Sequence, residues 1–192
     1  MVSMKRIDAI MDIAREAVQS DALLVCNIGI PCKELCSVCD TPNNFYMLGS
    51  MGLASSIGLG LALSLPGRKV IAIDGDGSVL MNMGSLATIA AQAPKNYLLV
   101  IVDNGSYGST GSQPTATAKG TDLAQVARGA GNRAVCETDN SEELRRILES
   151  TDHGIVVVRA DPGNADVPNI GMCPEDILRR FMGVSFPPSR SV

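Results

Sequence analysis

Val70-Ile71-Ala72-Ile73-Asp74-Gly75-Asp76-Gly77-Ser78 and Tyr97-Leu98-Leu99-Val100-Ile101-Val102-Asp103-Asn104-Gly105-Ser106-Tyr107 decide the fold. Each opens on a continuous apolar, β-branched run, the pattern of a strand buried on both faces of a parallel sheet. After Asp74 two glycines let the backbone turn sharply and approach a ligand closely. Leu80 to Ala93 has helical composition, which places Ser78 near a helix N-terminus, where free N–H groups and the dipole favour a phosphate. Parallel neighbouring strands bring both carboxyl ends to one edge of the sheet, where α/β folds bind ligands. Mg²⁺ takes near-octahedral oxygen ligands. Asp76 and Asn104 supply two of them, and the Ser106 carbonyl, in the turn that follows, is the candidate for a third. Either half alone reads equally well as an ordinary βα turn, because Gly and Asp are common there. The ordered pair, each half at the end of an apolar strand, points instead to a divalent metal carrying a diphosphate.

Gly75-Asp76-Gly77 followed by Asn104 resembles the metal and diphosphate motif of thiamine-diphosphate enzymes. The wider sequence resembles the β subunits of sulfopyruvate decarboxylases and, more distantly, the C-terminal half of phosphonopyruvate decarboxylases. The resemblance runs through Cys26 to Gly29, Asn44 to Gly52, Ile73 to Met83, Val102 to Thr115 and Asp161 to Val167-Pro168, leaving only the two ends unmatched. It implies thiamine diphosphate and Mg²⁺ as cofactors, with Gly75, Asp76, Gly77, Ser78, Asn104, Ser106 and Tyr107 around the diphosphate and Asp76, Asn104 and Ser106 on the metal. It further implies that Gly49-Ser50-Met51 holds the aminopyrimidine, through the Gly49 carbonyl and the Met51 N–H. The Met51 side chain is then the apolar wedge under a bent cofactor; the plainer alternative is a core residue of the helix that follows. The implied reaction is decarboxylation of 3-sulfopyruvate to sulfoacetaldehyde in coenzyme M biosynthesis. In the family, activation needs a Glu on a separate pyrimidine-binding domain. None of the seven glutamates here (16, 34, 137, 142, 143, 149 and 175) stands in that motif. The chain is therefore expected to be the diphosphate-binding half of an enzyme, inactive without a pyrimidine-binding α subunit and prone to self-association when alone. Two alternatives stay open: another 2-oxo acid such as phosphonopyruvate, or a non-catalytic cofactor-binding module that regulates a partner.

Composition agrees. A chain of 192 residues suits one domain with a sizeable core. Strand-like and helical runs alternate, which predicts a single α/β domain, a doubly wound, mostly parallel sheet with helices on both faces, over residues 1–184, with 185–192 a disordered tail. A net charge of −4 offers no basic stripe for nucleic acid. No apolar run approaches the roughly 20 residues that span a bilayer. The N-terminus lacks the look of a secretion signal, so a cytoplasmic location is expected.

The predicted elements are a helix at 6–19 with Ile7, Ile10, Met11, Ile13, Ala14 and Val18 inward, and strands at 23–28 and 45–48. A closely packed helix follows at 51–65, then the two motif strands with the helix at 80–93 between them. A loop without periodicity spans 105–120, where hydroxyls and Gln113 are candidate donors to a substrate anion and glycines allow closure. Helices at 122–130, 141–148 and 174–182 and strands at 133–136 and 154–159 complete the pattern. Cys32, Cys36 and Cys39 have a spacing that elsewhere ligates an iron–sulfur cluster, but free thiols in a reducing compartment are the expected state. Cys26 is read as a small core hydrophobe. His153, the single histidine, is read as a surface turn residue away from the motif edge.

Overall fold

The computed structural model describes residues 4–186. In chain order the elements are α1 (Arg6–Gln19), β1 (Leu23–Cys26), α2 (Ile30–Val38), β2 (Asn44–Tyr46), α3 (Ala54–Ser64), β3 (Val70–Gly75), α4 (Asp76–Met81), α5 (Gly84–Gln92) and β4 (Tyr97–Asp103). There follow β5 (Ser106–Tyr107), β6 (Gln113–Pro114), a 3-10 turn (Thr117–Lys119), α6 (Leu123–Gly129), β7 (Val135–Thr138), α7 (Ser141–Ser150), β8 (Gly154–Arg159) and α8 (Pro174–Ser185). Six strands form one sheet in the order β2-β1-β3-β4-β8-β7, and every neighbouring pair is parallel. The sheet alternates its side chains between two apolar layers. Leu24, Ile71, Ile73, Leu98 and Val100 pack with Ile10 and Ile13 of α1, Leu35 of α2 and Leu144 of α7. Ala72, Leu99, Ile101 and Val157 face Leu59 of α3, Leu86 of α5, Leu123 of α6 and Phe181 of α8. This is the doubly wound architecture that the sequence predicts.

The chain leaves β1 for β2 on one side and returns to β3 on the other, so the order reverses between β1 and β3. Such a switch point opens a crevice at the carboxyl ends of the strands. α3 lies close against the sheet there. A Cβ on Gly58 would stand 2.8 Å from the Tyr97 ring and 3.0 Å from Ala72 Cβ, so glycine sets this approach, and Tyr97 Oη donates to the Ser55 carbonyl at 2.7 Å.

Several predicted boundaries shift. The helix expected at 80–93 is two helices, and α4 begins at Asp76 itself, so Ser78 lies in its first turn and not ahead of it. The break falls at Asn82, whose side chain donates to the Gly52 carbonyl at 3.0 Å. The helix expected at 51–65 starts only at Ala54, leaving Met51 in the preceding turn. The edge strand expected at 133–136 is β7, at Val135–Thr138. On α1, Val18 is exposed while Arg6 is buried, because the inward stripe runs through residues 6, 10, 13 and 17, and Asp12 is buried beside it, where Ser141 and Arg145 of α7 meet its carboxylate. The predicted loop at 105–120 holds the antiparallel pair β5–β6. α8 continues through Ser185, and the remainder of the expected tail, 187–192, lies outside the described residues.

Candidate functional site

The carboxyl ends of β1, β3 and β4 surround a cavity of about 180 Å³. Its walls include Asn27, Met51, Gly75 to Ser78, Asn104, Ser106 and Tyr107. Three strand ends and one turn that are far apart in sequence are thereby brought together. Gly49 and Ser50 lie outside that lining, on the exposed side of the turn that carries Met51. Ser50 holds a positive φ of 61° and Gly52 one of 94°, which fold the segment back toward α4. The Gly52 N–H donates to Ser78 Oγ at 2.9 Å, and Ser78 Oγ donates to Asn27 Oδ1 at 3.2 Å. The Ser78 hydroxyl therefore ties the Met51 turn to β1 and β3. In the first turn of α4 the N–H groups of Gly77 and Ser78 have no intrahelical backbone acceptor, and that of Gly77 is bonded to the Asp76 carboxylate.

Asp76 is 2% exposed. Burial pushes its carboxyl up, hydrogen bonds from Thr115 and Thr117 oppose this, and the neighbouring Asp103 charge adds to it. Thr117 Oγ1 spans the pair, 2.7 Å from Asp103 Oδ1 and 3.2 Å from Asp76 Oδ2. Asp103 is balanced further by the Gly105 N–H at 3.1 Å and by Arg159 at 3.8 Å, whereas Asp76 has no ion pair among the described residues, so a cation would offset its desolvated charge. The Asn104 carboxamide is the second group of the predicted set. The orientation of this amide is assigned from its surroundings: in the one that satisfies both neighbours it donates to the Ser106 carbonyl and accepts from Arg6 Nη1, both at 3.1 Å. Turning the amide over sets its oxygen beside the Ser106 carbonyl oxygen at that same separation. Adjacent corners of a Mg²⁺ octahedron stand about 2.9 Å apart. The Asn104 and Ser106 oxygens thus have the spacing, and Asp76 the charged oxygen chemistry, that suit a magnesium ion.

Tyr107 lies with its ring on α4: a Cβ on Gly77 would collide with Tyr107 Cε1. Gln113 is exposed and spends its amide within its own loop, donating to the Thr110 carbonyl at 2.8 Å. Arg6, Thr117 and Asn164 are not among the predicted site residues. Arg6 is 6% exposed and forms a two-pronged ion pair with Glu34, Nε–Oε2 at 2.7 Å and Nη2–Oε1 at 3.0 Å. Its one sequence signal is that it falls in phase with the buried stripe of α1. Asn164 accepts from Arg6 Nη2 at 3.0 Å and donates to the Gly108 carbonyl at 2.8 Å, anchoring the loop after β5.

Among the described residues no group of three or more His, Cys, Asp or Glu side chains is placed to hold a metal, so the Cys32, Cys36 and Cys39 spacing gathers no cluster. Cys32 is buried on α2 with its thiol toward the Asn27 and Cys26 carbonyls, at 2.9 and 3.1 Å. All six cysteines are free. Cys26 is fully buried in β1, and burial pushes its thiol up. His153 precedes β8 at the amino ends of the strands, beside a separate cavity of about 380 Å³ and opposite the edge that carries the motifs.

Residues 32–160 match the family described as thiamine pyrophosphate enzyme, C-terminal TPP binding domain. The chain is 54% identical to sulfopyruvate decarboxylase subunit beta of Methanococcus maripaludis, over 85% of this chain and 89% of that one. It is 44% identical to the longer sulfopyruvate decarboxylase of Methanosarcina acetivorans, over 93% of this chain but 46% of that protein. Among solved structures, the thiamine diphosphate-dependent 4-hydroxybenzoylformate decarboxylase of Rhodococcus jostii RHA1 superposes with a TM-score of 0.70 at 18% identity. That superposition covers 86% of this chain and 34% of the other, and it is a likeness of fold.

Proposed function

From the premise that this chain belongs to the thiamine pyrophosphate enzyme family, we propose that it is the diphosphate- and Mg²⁺-binding subunit of a decarboxylase that converts 3-sulfopyruvate to sulfoacetaldehyde and CO₂. The convergence of Asp76, Asn104 and the Ser106 carbonyl at the switch-point edge carries this reading, and the identity with sulfopyruvate decarboxylase subunits supports the substrate. Thiamine diphosphate supplies an electron sink for the carbon that loses carbon dioxide. Asp76, Asn104 and Ser106 would hold the metal, and the N–H groups of Gly77 and Ser78 in the first turn of α4 would receive the diphosphate. Met51 supports the cofactor from the side with an apolar chain. Gly49 and Ser50, on the exposed side of the same turn, are placed for the pyrimidine end. Tyr107 and the β5–β6 loop cover the diphosphate from solvent.

The activating carboxylate comes from a separate pyrimidine-binding subunit in this reading. Leu48, Leu53, Met81 and Met83 are large, exposed apolar side chains that flank the Met51 turn, and they suit an interface there. A single longer relative of which this chain matches 46% is consistent with two halves that work together. No helix among the described residues is long and apolar enough to cross a membrane; the proposed setting is the cytoplasm.

Calorimetric titration of the full chain with thiamine diphosphate, with and without Mg²⁺, tests the site. Tight, Mg²⁺-dependent binding is expected only once the partner subunit is added. Carbon dioxide release from sulfopyruvate and from phosphonopyruvate by the mixed subunits tests the substrate. Fast turnover by this chain alone would overturn the two-subunit reading.

A further inference from the structure

Arg6 is an unusual occupant of the floor of this site. Its Nε and Nη2 are committed to Glu34, and Nη2 also to Asn164, while Glu34 takes a further bond from the Ala165 N–H at 3.2 Å. These contacts fix the guanidinium plane. Only Nη1 reaches the metal residues, and in the amide orientation that satisfies both neighbours its acceptor there is the Asn104 carboxamide oxygen at 3.1 Å. That oxygen is also the one a cation needs, and it serves one of them at a time. When the amide turns to present its oxygen beside the Ser106 carbonyl, its NH₂ faces Arg6 and Nη1 loses its acceptor. An N–H donor on a buried cation left without a partner is costly. The cavity that Arg6 lines then offers an unsatisfied, positively charged donor next to the metal.

We propose that Arg6 is a metal-gated oxyanion receptor: it holds the Asn104 amide in the metal-free state and, once the metal takes that amide, pairs with an oxyanion of the incoming diphosphate. This rests on the function proposed above. The diphosphate is the oxyanion source favoured here because Nη1 reaches the metal ligand itself, and the diphosphate is the anion that travels with the metal. The arrangement couples the two ligands, since metal binding creates the anion donor and the anion gives the stranded Arg6 a new partner.

The test uses the full chain mixed with its partner subunit and reads binding, not turnover. Two variants are compared with wild type: Arg6→Lys, which keeps a charge beside Glu34 but lacks the fork, and Arg6→Met/Glu34→Leu, which removes the buried pair together and so leaves no stranded carboxylate. Calorimetry measures the affinity for Mg²⁺ alone and, at saturating Mg²⁺, for thiamine diphosphate, inorganic pyrophosphate and a short sulfonate. In both variants the affinities for thiamine diphosphate and pyrophosphate should fall by about tenfold or more, the scale of one charge-assisted hydrogen bond. The affinity for Mg²⁺ alone should stay equal or rise, because a competitor for the Asn104 oxygen is gone. A merely structural role lowers both affinities together, and that result overturns the proposal. A loss confined to the sulfonate overturns it in favour of a substrate contact. Wild type that binds neither Mg²⁺ nor thiamine diphosphate overturns the functional reading itself, an outcome distinct from variants that behave as wild type.

Discussion

Replacing Asp76 by Ala separates the metal site from the fold more sharply than any other single change. The Asp76 carboxylate is 2% exposed, and burial and the Asp103 charge both oppose its ionisation. In the metal-free chain, Asp76→Ala loses the bonds from Thr115 and from Thr117, the latter at 3.2 Å, but also removes a buried like charge. Each hydrogen bond contributes about 0.5–1.5 kcal/mol net, and relief of the desolvated charge opposes their loss. The expected change in metal-free stability is therefore within about 1 kcal/mol. The ligand-bound state behaves differently. Ligands present at about 100 times Kd stabilise by about 2.7 kcal/mol. For a chain of 192 residues, each kcal/mol moves Tm by roughly 2–4 °C. The wild-type chain, with its partner, should thus gain about 5–11 °C on adding Mg²⁺ and thiamine diphosphate at that excess. Asp76→Ala should show an unchanged Tm without ligands and almost none of that gain, as read by differential scanning calorimetry. Asn104→Ala removes a neutral ligand and should keep part of the gain. An Asp76→Ala protein that retains the full ligand-induced shift would refute the assignment of Asp76 to the metal.

Three further outcomes are expected. Met51→Ala should lower turnover of the two-subunit enzyme more than it weakens cofactor affinity, since the diphosphate end supplies much of the binding; equal kcat would return Met51 to a plain packing role. Gly77→Ala drives a methyl into the Tyr107 ring and should cost about 1–3 kcal/mol as overpacking; in urea titrations the Gly77→Ala/Tyr107→Ala double variant should lose less than the sum of the two single changes. Burial raises the Asp74 carboxyl to about 6, so the native state holds its proton above the pH at which the unfolded chain releases it. This group's stabilising effect is full below about pH 4 and is lost as pH rises through about 6, a fall of roughly 3 kcal/mol. Asp74→Asn should remove that slope from urea midpoints of the metal-free chain between pH 4 and 8, and an identical slope in both proteins would contradict it.

The buried strands are the legible part of the fold. β3, β4 and β8 lie between two helical layers, so their runs Val70–Ile73, Leu98–Val102 and Ile155–Val158 are apolar throughout and fall inside the strands they mark. α1 spans the predicted residues as well, because its stripe repeats over four turns. Errors gather where tertiary contacts override local pattern. Leu80 to Ala93 is helical in composition on both sides of Asn82, and the break there is made by a hydrogen bond to Gly52, 30 residues earlier in the chain. The edge strand β7 slips because only one neighbour, β8, holds it, and its half-buried positions carry no apolar run. The β5–β6 pair, two residues on each side, is too short to leave a periodicity.

The site divides along a similar line. Asp76, Asn104 and Ser106 lie within three residues of the ends of β3 and β4, so chain direction alone delivers them to one edge, and the sequence pattern suffices to place them there. Arg6, Thr117 and Asn164 reach the same edge by side chains from elements whose sequences advertise other roles: a helix start, a polar loop and the segment after the last strand. What they contribute is charge balance. Thr117 places one hydroxyl between two buried carboxylates, and Arg6 places one cation against the amide that completes the set. A motif names the groups that meet a ligand because turn geometry constrains them locally. The groups that keep those ligands satisfied while the metal is absent are constrained only in three dimensions. In this chain they come from helices and loops as far apart as Arg6 and Asn164, which is why the proposed metal ligands are legible in the sequence and their counterweights are not.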